Sequence, residues 1–572
     1  MGRPSFLRQR VQPGRGASGI GRREFFTLGG AAAAMVAGAA SAHEGARGGE
    51  RPGLVTFAHG VASGDPRRDS VVLWTRVTPR DADRAAPVLP VRWVVAADAR
   101  MRHIVKAGVA LTGAHRDYTV KVEADDLDPG RTYYYRFAAL GAWSPVGRTR
   151  TLPAGRTAQL RLAFMSCSNH AAGLFNAYRR IAERADLDAV LHLGDYIYEY
   201  GPAVFGSLRQ PDPPYEMVSL ADYRRRHAQY KADADSQAMH RQHPLIAIWD
   251  DHETTNDAWR DGAENHTDAT EGAWTERVRA ALQAYYEWMP VRDPGRREDP
   301  RRNQRAFRFG DLLDLTMLES RLQARSQQLP ATIPVPGLGN GFVQAGPFTD
   351  PARTLLGAEQ EAWLARRLRD SRARWKLIGQ GVMFAPLKIV AAPRAAGGGV
   401  FVNPDQWDGY QPARDRLFEV FKGNAEHPRV DNCIVLTGDI HSGWAADLTQ
   451  DPNNPVPAAG GYDPATGLGS HAVEFVTTSI SSPGLDDPSG ATAAFLRSVN
   501  PHFKYIDLNR RGYCLLDVQP ERVVCEWWTV DTVAAPSNIE TLAAAFEVRD
   551  GSNRLAPAAM TTPPANPPAL AP

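Results

Sequence analysis

The sequence predicts an α/β layered domain standing behind a small all-β domain, and three observations predict it. Residues 54–153 run through short alternating β-type segments with no helical period between them. From residue 160, strand-like runs alternate with amphipathic helical ones. Four apolar runs in this second region end in cysteine, acids, a tyrosine and histidines. An open α/β sheet assembles its sites at that strand edge. At 572 residues the chain is long enough for two cores, and 43% hydrophobic with 23% charged is a globular composition.

The N-terminus reads as an export segment. Residues 1–42 carry six arginines and one glutamate, leaving 60 basic and 63 acidic residues in the rest. That near-neutral body gives no reason to expect nucleic acid. Arg22-Arg23 precede an Ala/Gly stretch, and Ala40-Ser41-Ala42 form an A-x-A cleavage site before His43. Together these resemble a twin-arginine signal at 1–42, which implies the twin-arginine export machinery as a partner and a periplasmic or secreted enzyme. No run in the body is long and apolar enough to span a membrane.

Residues 54–153 follow as a β-sandwich, through "SVVLWTRV", "VRWVVAAD", "YTVKVEADDL" and "RTYYYRFAAL". Leu127, Pro129 and Tyr133 in "LDPGRTYYYRF" are spaced like the tyrosine corner of fibronectin-type domains, or else belong to ordinary hairpin chemistry. Residues 151–159 read as a linker. The catalytic region is placed at 160–530. Residues 531–572 are a C-terminal segment whose Pro/Ala tail is expected to be disordered. Four cysteines are too few for a disulfide scaffold. Cys514 and Cys525 flank a hairpin turning at Gln519-Pro520; a symmetric turn would oppose them for a disulfide, and otherwise they are core residues.

The strand ends carry the chemistry. "LAFMS" runs into Cys167, Ser168, Asn169 and His170; "VLHLG" into Asp195 and Tyr198. "LIAIW" runs into Asp250, Asp251, His252 and Glu253, with Asn256 beyond; "IVLTG" into Asp439 and His441. Any one of these could be a helix cap. Four together use the residues of metal ligation.

The series GDxxY, DDHE and GDxH resembles the calcineurin-like metallophosphoesterases, and within them the PhoD-type alkaline phosphatases. Asp251 stands where the superfamily has Asn, and Asp439 where it has the first His of the last pair; both departures fit the PhoD branch, as does Cys167. "FAHGVASGDPRRDSVVLWTRVTP", "NPDQWDGYQPARDRL" and "NPHFKYIDLNRRGY" extend the resemblance over about residues 54–530. It implies a four-layer α-β-β-α phosphoesterase sandwich and hydrolysis of phosphate esters for phosphate scavenging.

The expected chemistry follows from the ligand types. Metals neutralise a phosphate ester's charge and activate water near neutral pH. Asp195 bridges two cations. Cys167 and Tyr198, as thiolate and phenolate, with His441, suit Fe3+. Asp251 and Asp439 make an oxygen-rich second site suited to Ca2+, with Asn256 a further oxygen. Ionised Cys167, Asp195, Tyr198, Asp251 and Asp439 carry −5, which one Fe3+ and one Ca2+ only neutralise. Binding a phosphate dianion therefore calls for a second Ca2+, or for an arginine in its place. Arg511 is a candidate for that arginine, or else forms a structural ion pair. His252 resembles the motif histidine that faces the leaving-group oxygen, where it would donate a proton or stabilise charge, and Asn169 is a candidate substrate contact. A phosphodiesterase, including phospholipase D-type cleavage, would use the same metals. A non-catalytic surface binding protein would have no use for the ligand set.

Overall fold

The computed structural model describes residues 54–81, 86–295, 297–335 and 339–572; the expected export signal lies outside them. Two mixed sheets carry the architecture. The first has ten strands, and at its middle Leu160–Met165, Ala189–His192 and Pro244–Ala247 run parallel. The second has seven, with Leu313–Met317, Trp375–Gly379, Cys433–Thr437 and Ala472–Val476 parallel to one another.

The period-two alternation of side chains decides which face each residue buries. Leu162, Phe164, Leu191 and Ile246 of the first sheet share one core with Leu315, Leu377, Ile434, Leu436 and Phe475 of the second. The intervening residues point the other way. Ala163, Met165, Val190 and Leu245 pack with Ile181, Tyr223, Met239 and Tyr285, which belong to helices Asn176–Ala182, Leu220–Ala232, Ala234–Gln242 and Trp274–Trp288. On the second sheet, Ile378, Val435 and Val476 pack with Leu364, Leu368, Phe418 and Phe421 from helices Gly357–Asp370 and Gln411–Lys422.

The N-terminal region is all-β. Strands Leu89–Ala96, Ile104–Thr112, Thr132–Ala139, Ala142–Trp143 and Gly147–Arg150 form a separate five-stranded sheet. Its Val91, Trp93, Tyr135 and Phe137 bury against Val61, Val71, Leu73 and Val120. Those four belong to strands of the ten-stranded sheet, where Val61–Gly64 pairs in parallel with Pro244–Ala247. Tyr133 forms a tyrosine corner, its hydroxyl accepting from the Asp128 amide at 2.9 Å.

Two expectations need correction. The Pro/Ala tail is docked, not free: Tyr134 donates to the Ala569 carbonyl at 2.5 Å, and Gln242 exchanges two hydrogen bonds with the Ala571 backbone. A proline-rich strand keeps its carbonyls as acceptors, and these side chains use them. Cys514 and Cys525 are both free, because the hairpin turns at Pro520-Glu521, one residue beyond the symmetric point. Its register opposes Cys514 to Trp527 and Leu516 to Cys525.

Candidate active site

Glycine is what lets the strand ends converge. A Cβ on Gly194 would lie 2.4 Å from Asp250 Cβ, and one on Gly438 would lie 2.6 Å from Ser166 Cβ. Each Gly-Asp pair thus marks a strand end pressed against its neighbour. Beyond them Cys167, Asp195, Asp439 and His441 all adopt left-handed backbone conformations, with φ between 53° and 64°. That region is uncommon for non-glycine residues and costs about 1–3 kcal/mol each, the kind of strain that collects at functional sites.

Three donor groups result: Cys167, Asp195 and His441; Asp195, Asp251 and His252; and Asp250, Asp251 and Asp439. Within each, the possible ligand atoms lie within 4.8 Å of one another. The groups overlap through Asp195 and Asp251. The Tyr198 hydroxyl donates to Asp195 Oδ2 at 3.0 Å and lies 3.1 Å from His441 Nε2. His441 Nδ1 is 2.7 Å from the Pro483 carbonyl, a contact only an N–H can make, so Nε2 carries the free lone pair. Burial pushes that imidazole down to about 3, which keeps it neutral.

The donor chemistry fits cations. Asp195 Oδ1 is buried with no hydrogen-bond partner. Burial, then the nearby carboxylates, push Asp195 and Asp439 far above the usual range. Burial and Asp195 do the same to the Cys167 thiol and the Tyr198 phenol. Anionic donors crowded this closely in the interior are stabilised by positive charge.

His252 is the one site imidazole held charged. Burial opposes the charge, but Glu199, Asp251 and Asp195 overcome it and raise the group well above its ordinary value. Glu199 Oε2 accepts from Nδ1 at 2.7 Å, while its other oxygen accepts from the Asn256 amide at 2.8 Å and the Thr255 hydroxyl at 3.1 Å. Glu253 ties the strand ends together, accepting from the amides of Tyr196 and Asp250 at 2.7 and 2.9 Å.

Besides the expected Arg511, whose charge acts on His441 and Cys167, the cluster holds a second arginine, Arg321. Fully buried, it grips Asp250 with two bonds of 2.6 and 3.0 Å and reaches Asp405 at 2.9 Å and Asp439 at 3.2 Å. Arg511 spends Nη1 on the Asn509 and Arg510 carbonyls beside it. Two other expected residues make local hydrogen bonds. Asn256 donates its side-chain amide to Glu264 at 2.7 Å. Asn169 closes its own loop, accepting from Ala171 and Ala172 and donating to the Phe205 carbonyl. An asparagine after a strand end readily makes such turns.

Sequence comparison agrees with this arrangement. The profile of the PhoD-like phosphatase family matches residues 162–527, and that of the PhoD-like phosphatase N-terminal domain matches residues 40–153. The chain belongs to the PhoD-like phosphatase family. Alkaline phosphatase D of Bacillus subtilis (strain 168) is 35% identical over 519 residues, covering 88% of this chain and 83% of the relative. A solved structure of PhoD matches with a TM-score of 0.78 at 34% identity, over 90% of this chain and 94% of that one. This phosphatase is a phosphoric ester hydrolase, and no helix among its described residues is long and apolar enough to cross a membrane.

Proposed function

We propose that this phosphatase is an exported alkaline phosphatase that hydrolyses phosphate monoesters at a centre of one Fe3+ and two Ca2+, scavenging phosphate. The observation that carries the reading is the overlap of the three donor groups through Asp195 and Asp251. Overlap of this kind suits a multinuclear centre better than three separate ions. In this reading Cys167, Asp195, Tyr198 and His441 hold iron, and Asp195, Asp251 and Asp439 hold calcium. The packing on the two sheets supports the four-layer α-β-β-α arrangement, whose ten-stranded sheet also takes in strands from the N-terminal β region and the strands Glu540–Arg549 and Leu555–Pro557.

The charge count supports a second calcium. Arg321 is offset by Asp250, Arg325 by Asp405 and His252 by Glu199. The five anionic ligands are left at −5, which one Fe3+ and one Ca2+ only neutralise; a second Ca2+ brings the centre to +2, a positive charge that attracts a phosphate dianion and to which Arg511 adds.

When bound, the metals supply neutralisation of the phosphate and activation of water. The chain's own residues do the rest. His252, held as an imidazolium by Glu199, donates its proton to the leaving-group oxygen. Arg321 fixes Asp250 and Asp439, and the Pro483 carbonyl fixes the ring of His441. Metal analysis of the purified enzyme, beside kcat/KM on a monoester and a diester, tests the reading. The expected result is iron with calcium and a preference for the monoester. Zinc alone, or faster diester cleavage, would contradict it.

A further inference from the structure

Beside the donor groups lies a cavity of about 290 Å³ whose lining includes Asp439 and His441. Its walls come from Met383, Leu387, Val402, Ile440, Leu485 and Leu496. The larger cavities, of about 780, 610 and 640 Å³, share no residue with the donor groups. This cavity is lined by two of the proposed metal ligands, so it adjoins the place where the phosphate would bind.

Its polar members are already engaged. Gln406 donates to Asp439 and accepts from the Met383 amide. Asp408 accepts from Arg414 at 2.6 Å and from the Leu387 amide at 2.9 Å. Ser442 donates to the Ile440 carbonyl at 2.9 Å and accepts from the Trp444 indole at 2.7 Å. A ligand entering here meets apolar walls and few polar groups free to replace lost water contacts. A hydroxyl-rich group such as a sugar would lose hydrogen bonds on entry. An alkyl or aryl group would gain burial. Leu485, 48% exposed, stands at the rim. Val402, Asn403 and Gln406 bring the segment after the hairpin Lys388–Ala391 and Gly399–Phe401 to the wall.

We propose that this pocket receives the organic group of the substrate, so that the phosphatase selects phosphate esters carrying alkyl or aryl groups. The inference rests on the phosphatase reading and adds the substrate class to it. A series of n-alkyl phosphates from methyl to hexyl tests it, because leaving-group basicity is nearly constant along the series while buried area grows. In the wild-type enzyme kcat/KM should rise about fourfold per methylene until the pocket is full. Leu485→Asp, a change at an exposed position, should lower the hexyl-to-methyl ratio of kcat/KM at least tenfold. Val402→Asp should act in the same direction from the opposite wall. A flat wild-type series, or equal losses on methyl and hexyl phosphate in both variants, would overturn the assignment while leaving the phosphatase reading intact. Hydrolysis of no ester in the series by enzyme carrying its native metals would overturn both.

Discussion

Glu199 Oε2 lies 2.7 Å from His252 Nδ1, both side chains buried, with the His252 ring 4.2 Å from that of Tyr198. A carboxylate in that position fixes the ring and holds its charge. Glu199→Gln keeps a hydrogen-bonding group but removes the charge, so turnover of esters with poor leaving groups should fall about 10- to 100-fold. His252→Ala should cost those substrates about two to four orders of magnitude, and nitrophenyl esters less. The double variant should be little worse than His252→Ala, because both changes disable one proton donor. Fully additive losses would separate Glu199 from His252.

Arg321 is the counter-charge to a buried carboxylate pair, so Arg321→Met should destabilise the fold by about 3–5 kcal/mol. Asp250→Asn in the same chain should recover part of that loss, since it removes the carboxylate Arg321 grips most closely. Urea unfolding measures both. A loss below about 1 kcal/mol would make the pair dispensable.

Calcium removal should abolish activity, because Asp195, Asp251 and Asp439 offer only oxygen. A calcium-selective chelator should inactivate the enzyme and added Ca2+ should restore it. Restoration by Zn2+ in place of Ca2+ would refute the second-site assignment.

Export is tested at Arg22-Arg23. With both changed to lysine, folded precursor should accumulate inside the cell, as fractionation would show. Unchanged secretion would exclude the twin-arginine route.

Much of the site was legible because its residues follow strands. Asp195, Asp251, Asp439 and His441 each sit within a few positions of an apolar run, and the parallel sheets bring those ends to one edge. Arg321 was legible in principle by the same rule, as it lies four residues beyond the strand Leu313–Met317. It escaped because an arginine does not read as part of a metal site. Glu199 directly follows the GDxxY stretch, but only the fold shows that His252 comes to meet it. Asn169 and Asn256 carry no such signal in sequence: only the fold shows that one bonds a loop backbone and the other a neighbouring carboxylate. The tail was illegible because its order depends on Tyr134 and Gln242, more than 300 residues away along the chain.

The central claim is that Tyr198 is an iron ligand, and visible absorption of the purified enzyme tests it most directly. A phenolate on Fe3+ donates charge to the metal and gives a visible band, so the native protein should be coloured. Tyr198→Phe keeps the ring stacked on His252 and removes only the oxygen that meets Asp195 and His441. The band should weaken or shift and activity should fall sharply. Tyr200→Phe, whose ring packs on Phe205 and His252, should keep both. A colourless, fully active native enzyme, or a Tyr198→Phe variant with unchanged spectrum and activity, would contradict the account.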